Sequence, residues 1–283
     1  MTTSIIDPKF IDVDYPADGL IHDPVGEATF GEEFPDSLLI GGGKFTDSQF
    51  IAACRELIEE NKKLGLSGRN FVRPLNNQRP ESSCVYNATE AVWRGTWNQI
   101  YGNAWEIKLS PMSGYCQATR RAGSGSTMWG ALLFMQETGL LPEDNEKNKK
   151  LFKHTFHQNS PFVQRERLPS GCQQTSRHFR FREWLKIING QQYMSAILKH
   201  RYFICMGRRG HSMAAIDAAW DNGLYAAICD SYGDRGDNGY VYDSWRTVCN
   251  ATGGAWAGRD IYLPDDPAYP AGKDGLILPP GVK

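Results

Sequence analysis

The sequence predicts an α+β fold of two lobes, one helical and the other built from antiparallel strands. Segments with helical periodicity lie in the first half of the 283 residues, whereas strand-like segments follow residue 200. Such a separation of helices from strands along the chain is typical of α+β proteins. The length fits one two-lobed domain with extensions better than two independent domains. A cleft between lobes is a common place for a functional site.

The predicted domain spans residues 70–263, with the helical lobe over about 70–160 and the strand lobe over about 161–263. Residues 1–69 form an acidic arm followed by one helix, and residues 264–283 form a tail rich in proline and glycine. Both extensions are candidates for docking on neighbouring proteins, since such segments become ordered against a partner surface.

Three helices are predicted from capping signals and apolar periodicity. Thr46 and Gln49 form a capping box before an amphipathic run, which Gly65 and Gly68 end. The second helix is expected over 83–101, and the third over 126–138 with Ser126 as its N-cap. Strands are expected over 202–206, 212–220, 224–230, 240–245 and 259–263.

Cys84 is the candidate nucleophile among seven cysteines. An odd number of cysteines spread along the chain, with no CxxC pair and no zinc-ligand spacing, argues against a disulfide framework and a metal site. Cys84 begins the second predicted helix, where backbone N–H groups and the helix dipole favour a thiolate. The alternative is a buried structural cysteine, which we expect for the other six: Cys54, Cys116, Cys172, Cys205, Cys229 and Cys249.

His211 is the candidate base, because a nucleophilic cysteine needs a base and a group that orients it. The residue follows a glycine-containing turn and opens an apolar strand; the alternative is a histidine satisfied at a strand edge. Asp221-Asn222-Gly223 then predicts a hairpin. A four-residue loop sets Asp230 opposite Met213, diagonal to His211. A two-residue loop sets Asp230 opposite Ala215, and contact with His211 then requires a bulge.

Four residues follow one another in a characteristic order. Gln78 precedes Cys84 by six residues, and His211 and Asp230 lie 127 and 146 residues beyond Cys84. This pattern resembles the papain-like cysteine peptidases, in which the His and Asn follow the nucleophile by roughly 130–150 residues. The resemblance covers residues 70–263 and implies a papain-like two-lobed fold.

Two further stretches are similar to the same family. Gly123-Ser124-Gly125 forms a glycine-rich approach to a helix, and Asp230-Ser231-Tyr232-Gly233 stands where the family has Asn-Ser-Trp-Gly. The resemblance implies that the substrate-binding residues are Ser83, Gly123, Gly125, Gly210 and Tyr232.

The resemblance implies a thiol hydrolase that cleaves peptide or isopeptide bonds and needs no cofactor. Cys84 would attack a carbonyl as a thiolate, and His211 would pair with it and protonate the leaving group. Asp230 would hold the imidazole, and the Gln78 amide with the Cys84 N–H would form the oxyanion hole. The substrate would be a peptide or a protein.

Departures from the family pattern keep a second function open. Asp230 replaces the Asn of the family, Glu81 stands where the family has a half-cystine, and Tyr232 replaces a Trp. The alternative is an inactive papain-like scaffold that serves as a structural or interaction subunit of a larger assembly such as a virion. Acyl transfer to an amine by the same three residues is a third reading.

The net charge of −1 combines two opposed regions. Residues 1–36 carry nine acidic groups and one lysine, a net charge of −8, which leaves +7 for residues 37–283. Ten Lys and Arg residues against two Glu give the stretch 165–209 a net charge of +8. This stretch is expected to be a solvated basic face or the surface on which the acidic arm lies, rather than a nucleic-acid site.

The first residues show neither the basic nor the apolar region of a secretory signal, and no apolar run is long enough to span a bilayer. The sequence therefore predicts no membrane association. The expected location is the cytoplasm or a larger assembly that carries the protein.

Overall fold

The computed structural model describes residues 6–11, 19–72, 82–208, 210–231, 239–248 and 254–263. Their α-helices are α1 Pro24–Thr29, α2 Asp47–Lys63, α3 Cys84–Tyr101, α4 Pro111–Ala118, α5 Met128–Glu137, α6 Glu146–Leu151, α7 Cys172–Ser176 and α8 Gly190–Leu198. Their strands are β1 Leu20–Ile21, β2 Glu32–Glu33, β3 Ser126–Thr127, β4 Phe181–Lys186, β5 Ile204–Arg208, β6 His211–Trp220, β7 Leu224–Cys229, β8 Tyr240–Ser244 and β9 Ala255–Ile261. The predicted α+β architecture is confirmed.

The strands of the second half form the main sheet of the described residues. Its strand order is β2-β4-β9-β5-β6-β7-β8, and its neighbours pair antiparallel except for β2 with β4. A separate parallel pair joins β1 of the arm to β3 of the helical lobe. The arm therefore adds one strand to each lobe.

Helices cover both faces of the main sheet. Along β5, Ile204 and Met206 pack with α2 and α8, whereas Cys205 packs in the cluster that contains α3, α4 and α5. Alternate residues of a strand point to opposite faces, so both faces of β5 are apolar. The helix α3 is buried along most of its length and lies at the centre of the molecule.

The capping box of the first predicted helix is present: Thr46 accepts from the Gln49 N–H, and the Gln49 side chain bonds the Thr46 N–H. This helix, α2, ends at Lys63, and Gly65 adopts a left-handed φ of +68°. Gly68 does not end the helix. It lies in a following turn that packs against β6, which leaves no room for a side chain there.

Two predicted boundaries are wrong. The third helix begins at Met128 with Thr127 as its N-cap, because Ser126 pairs with the arm instead. The last strand spans Ala255–Ile261 rather than 259–263, since it pairs with both β4 and β5.

The tail 264–283 lies outside the described residues. No helix among those described has both the length and the apolar character needed to cross a bilayer.

Candidate active site

Cys84 is the first residue of α3, and its side chain is fully buried. The preceding Ser83 starts the helix: its carbonyl accepts from the N–H groups of Tyr86 and Asn87, and the Asn87 amide bonds its carbonyl and hydroxyl at 3.1 Å. The eighteen residues of α3 direct their dipole so that its positive end lies at Cys84. Negative charge on a side chain is favoured at such a helix end.

His211 and Asp230 form a buried pair. The Nε2 atom of His211 lies 3.0 Å from Oδ1 of Asp230, and both side chains are 0% exposed. The backbone N–H of Asp230 donates to the carbonyl of Gly239 at 2.9 Å, which fixes the end of β7 against the start of β8. One ring nitrogen of His211 is therefore engaged with a carboxylate that holds the ring plane.

The β6–β7 hairpin differs from both turn geometries expected from the sequence. Its loop has three residues, because Trp220 lies opposite Leu224. Continued without interruption, this register would set Asp230 opposite Ala214. Side chains of opposed residues share a sheet face, so Asp230 would then lie on the face that His211 does not use.

A bulge in β6 corrects the register. Asp217 lies opposite Ala227 but Ala215 lies opposite Ile228, so Ile216 is one extra residue in β6. Beyond the bulge Ala214 faces Cys229, which sets Asp230 opposite Met213 and on the face of His211. The bulge is thus what allows the 3.0 Å contact.

A strip of the N-terminal arm connects the two sides of the site. The Leu20 N–H donates to the carbonyl of Gly210, the residue before His211, at 2.8 Å. The carbonyl of Gly19 accepts from the Ser126 N–H at 2.7 Å. A Cβ atom added at Gly19 would lie 2.6 Å from Cβ of Ser82, two residues before Cys84. We call Gly19–Leu20–Ile21 the crossing strip.

The candidate substrate-binding residues are distributed around this strip. Gly210 bonds the strip, and Gly125 touches it so closely that an added Cβ would lie 2.5 Å from the Gly19 carbonyl oxygen. Ser83 is buried at the start of α3, and Gly123 has open space around it. Gln78 and Tyr232 lie outside the described residues.

A pocket of about 620 Å³ opens beside the crossing strip. Ile21, Tyr86 and the stretch 124–127 line it, together with Arg120 and Arg121. Ile21 of the crossing strip is 49% exposed at the edge of this pocket.

The other five cysteines that the structure describes are buried, and none of them forms a disulfide with another described cysteine. Burial raises the pKa of the Cys54 thiol to about 12. Burial also raises the pKa values of Cys172, Cys205 and Cys229. These thiols are poor nucleophiles at neutral pH. Cys249 lies outside the described residues.

The acidic arm reaches the basic stretch 165–209 mainly through its backbone. Glu32 and Glu33 pair with Leu185 and Lys186 in parallel, and the Lys186 ammonium donates to the carbonyl of Ala28 at 3.2 Å. These contacts use main-chain atoms rather than opposite charges. At these described residues, the arm joins the basic stretch by strand pairing.

A buried charge network that is centred on α3 was not identified from the sequence. Arg94 is 0% exposed, with its Nε atom 3.1 Å from Glu90 and its Nη1 atom 3.9 Å from Glu106. The Asn98 amide donates to Glu106 at 3.0 Å. The i, i+4 spacing of Glu90 and Arg94 predicts such a pair, but not its burial. Among the described residues, no three His, Cys, Asp or Glu side chains group as metal ligands.

Solved cysteine proteases share this architecture. A structure of proCathepsin B S9 from Trypanosoma congolense superposes with a TM-score of 0.56 and 12% identity over 86% of each chain. Procathepsin L 3 of Tenebrio molitor larval midgut gives 0.52 and 14% over 69% of each chain. Xylellain, a cysteine protease from Xylella fastidiosa, gives 0.51 and 13% over 66% of this chain and 83% of its own. No family model and no curated protein sequence matches the chain.

These likenesses assign a fold. The chain has the two-lobed papain-like fold of cysteine proteases, as the resemblance in its sequence implied. In this fold the helical lobe carries Cys84, and the strand lobe carries His211 and Asp230.

Proposed function

We propose that the protein is a thiol hydrolase that cleaves peptide or isopeptide bonds through Cys84, His211 and Asp230. The observation that carries this proposal is the buried 3.0 Å contact between His211 Nε2 and Asp230 Oδ1. It leaves Nδ1 as the nitrogen for proton exchange with a thiol. A nucleophilic cysteine needs a base, and the base is commonly oriented by a third group, which is the part that Asp230 would play for His211.

The reaction follows from these roles. The Cys84 thiolate attacks the scissile carbonyl carbon, and the oxyanion forms towards the Cys84 N–H and the Gln78 amide. The His211 imidazolium gives its proton to the leaving amine as the C–N bond breaks. Water, deprotonated by His211, then attacks the thioester, and the carboxylic product leaves with Cys84 again as thiolate.

We also propose that the crossing strip holds the enzyme inactive. The strip bonds Gly210, the residue before His211, and also Ser126, and the side chains of Cys84 and His211 are both fully buried. The likeness to proCathepsin B S9 covers a larger share of this chain than residues 70–283 make up, so part of residues 1–69 is included in it. A peptide substrate would need the strip to leave before it could lie along β3.

The test is hydrolysis of a mixed peptide library by the full chain and by a form cleaved in the arm. Cys84→Ala should abolish turnover in the cleaved form, because the thiolate of Cys84 is the proposed nucleophile. Cys116→Ala is the matched control, a buried cysteine of the same lobe, and should retain activity. Turnover that survives Cys84→Ala would contradict the proposal.

A second candidate function rests on the complete burial of Cys84. A papain-like scaffold that never opens would serve as a structural subunit, with the arm as a permanent part of its core. Iodoacetamide labelling of the cleaved form separates the two functions. Labelling of Cys84 ahead of the other thiols supports the hydrolase. Labelling of Cys84 only on unfolding supports the scaffold.

A further inference from the structure

The bulge in β6 is held by a short turn that follows α2. A Cβ atom added at Gly68 would lie 1.6 Å from the carbonyl oxygen of Ile216, the extra residue of the bulge. No side chain other than hydrogen fits at this position. The φ of Gly68 is not positive, so glycine is required here for its size and not for its backbone freedom.

Asp217, the residue after the bulge, connects the turn to β6. Its Oδ1 accepts from the Ala218 N–H at 2.9 Å, and its Oδ2 accepts from the Ser67 hydroxyl. A further hydrogen bond comes from the backbone N–H of Arg69. Burial raises the pKa of Asp217, and the three hydrogen bonds with the nearby Arg69 charge oppose that rise. Asp217 is half-buried, and its hydrogen bonds join the turn to the strand at the bulge.

The same turn reaches the other side of the hairpin. The Arg69 guanidinium lies over the ring of Tyr240 at 4.4 Å and over that of Tyr242 at 5.3 Å. Tyr240 pairs with Cys229, the residue immediately before Asp230. The turn 67–69 therefore holds the bulge in β6 and the β8 strand that flanks Asp230, one on each side of β7.

We propose that Ser67, Gly68 and Asp217 are positioning residues that fix the extra residue in β6 and thereby set Asp230 on the face of His211. This inference rests on the proposed hydrolase for its effect on rate, but its structural content does not. The predicted domain began at residue 70. The inference places part of the catalytic framework outside it, on the segment that links the arm to the domain.

Loss of the contacts between the turn 67–69 and the bulge should shift the pairing register of β6 with β7. It should not merely increase the mobility of one side chain. Without Ile216 held in place, β6 can pair with β7 in the uninterrupted register of its turn. Asp230 would then face away from His211, and the imidazole would lose the group that orients it. Misplacement of a catalytic group by about 1 Å already costs on the order of 100-fold in rate.

The test uses two substitutions at Asp217 and one control. Asp217→Ala removes both acceptors, whereas Asp217→Asn keeps an acceptor for the Ala218 N–H. Thr46→Ala removes a comparable side-chain hydrogen bond from the same 1–69 segment at the far end of α2. One readout is kcat and KM of the arm-cleaved protein. The other is the downfield proton signal of the His211 Nε2–H in protein labelled with ¹⁵N-histidine, assigned with His211→Gln.

Asp217→Ala should lower kcat about tenfold or more with little change in KM, and should move the His211 proton signal upfield. Asp217→Asn should keep most of the kcat and most of the downfield position of the His211 signal. Thr46→Ala should change neither kcat nor the signal. A folded Asp217→Ala protein with an unchanged signal would overturn the positioning role. If no form hydrolyses any peptide, the proposed hydrolase fails, but the proton signal still decides the positioning role.

Discussion

Cys84 and the pair formed by His211 and Asp230 belong to elements that are fixed in different ways. Cys84 begins α3, whose position follows from burial along most of its length and from the charge network of Glu90 and Arg94. The position of Asp230 follows from the number of residues between two strands and from one bulge. Substitutions that weaken α3 should therefore unfold the protein. Substitutions in the β6–β7 hairpin should instead leave the protein folded, with His211 and Asp230 misaligned.

The helix half can be broken at Arg94. Arg94→Met should lower the free energy of unfolding by about 3–5 kcal/mol, because Glu90 would keep a buried charge without its partner. Urea denaturation followed by tryptophan fluorescence measures this loss. The double variant Glu90→Gln/Arg94→Met should recover part of it, since the glutamine oxygen still accepts from the Leu109 N–H. Equal losses in the single and double variants would contradict this account of α3.

The hairpin half can be broken at Asp230. Asp230→Ala in the arm-cleaved protein should lower kcat by roughly 1000-fold, because the imidazole loses the carboxylate that orients it. The circular dichroism spectrum should stay unchanged. Asp260→Ala is the control, since Asp260 is an exposed acidic residue of β9. A loss of fold in Asp230→Ala, rather than of rate, would remove the distinction between the two halves.

The crossing strip links both halves, and its hydrogen bond to Gly210 can be removed alone. Leu20→Pro deletes the N–H donor and should raise the rate of iodoacetamide labelling at Cys84 about fivefold to tenfold in the full chain. Leu20→Ala keeps the donor but loses apolar contact, so its comparison separates the hydrogen bond from packing. Labelling rates are read by mass spectrometry of the peptide that contains Cys84. An unchanged rate in both variants would show that the strip does not limit access.

A smaller effect, on the free energy of unfolding, is expected at Glu143, which belongs to neither α3 nor the hairpin. Burial raises the pKa of Glu143, and its Oε2 atom has no hydrogen-bond partner among the described residues. The folded state therefore binds a proton at higher pH than the unfolded state does, and stability from this group is lost as pH rises through the raised pKa. Glu143→Gln should add about 1 kcal/mol to the free energy of unfolding at pH 7.

This gain should disappear near pH 4, where the native carboxyl is protonated. Denaturation curves at the two pH values measure the difference. Glu166→Gln, at an exposed position, should change stability at neither pH. A gain at pH 4 as large as that at pH 7 would mean that the Glu143 charge is not its cause.

Local signals in the sequence were sufficient for much of the fold. The Thr46 capping box and the apolar period of α2 depend on neighbouring residues only, and both are present. The hairpin at Asp221-Asn222-Gly223 was likewise predicted, and Asn222 adopts a left-handed φ of +55°. By contrast, β1, β2 and β4 pair with distant segments, and their short or charged sequences carry no pattern that identifies the partner.

The register of the site was predicted only as one of two alternatives. Asp230 lies opposite Met213, as expected for a four-residue loop, but the actual loop has three residues and the bulge in β6 supplies the difference. The bulge depends on Gly68, which lies about 150 residues earlier, as the Ser67–Asp217 contact also shows. The requirement for glycine at position 68 comes from the distant carbonyl of Ile216. The sequence alone does not distinguish such a glycine from one that ends a helix, and Gly68 was predicted to end α2.

The bulge has a consequence for insertions and deletions in this chain. Deleting Ile216 would remove only the unpaired residue, so the pairs on either side of it would stay the same and Met213 would still lie opposite Asp230. Deleting one residue between Ile216 and His211 while the bulge stays would instead set Asp230 opposite Ser212, on the face that His211 does not use. Loss of a residue from β6 should therefore be tolerated at the bulge itself and not between the bulge and His211.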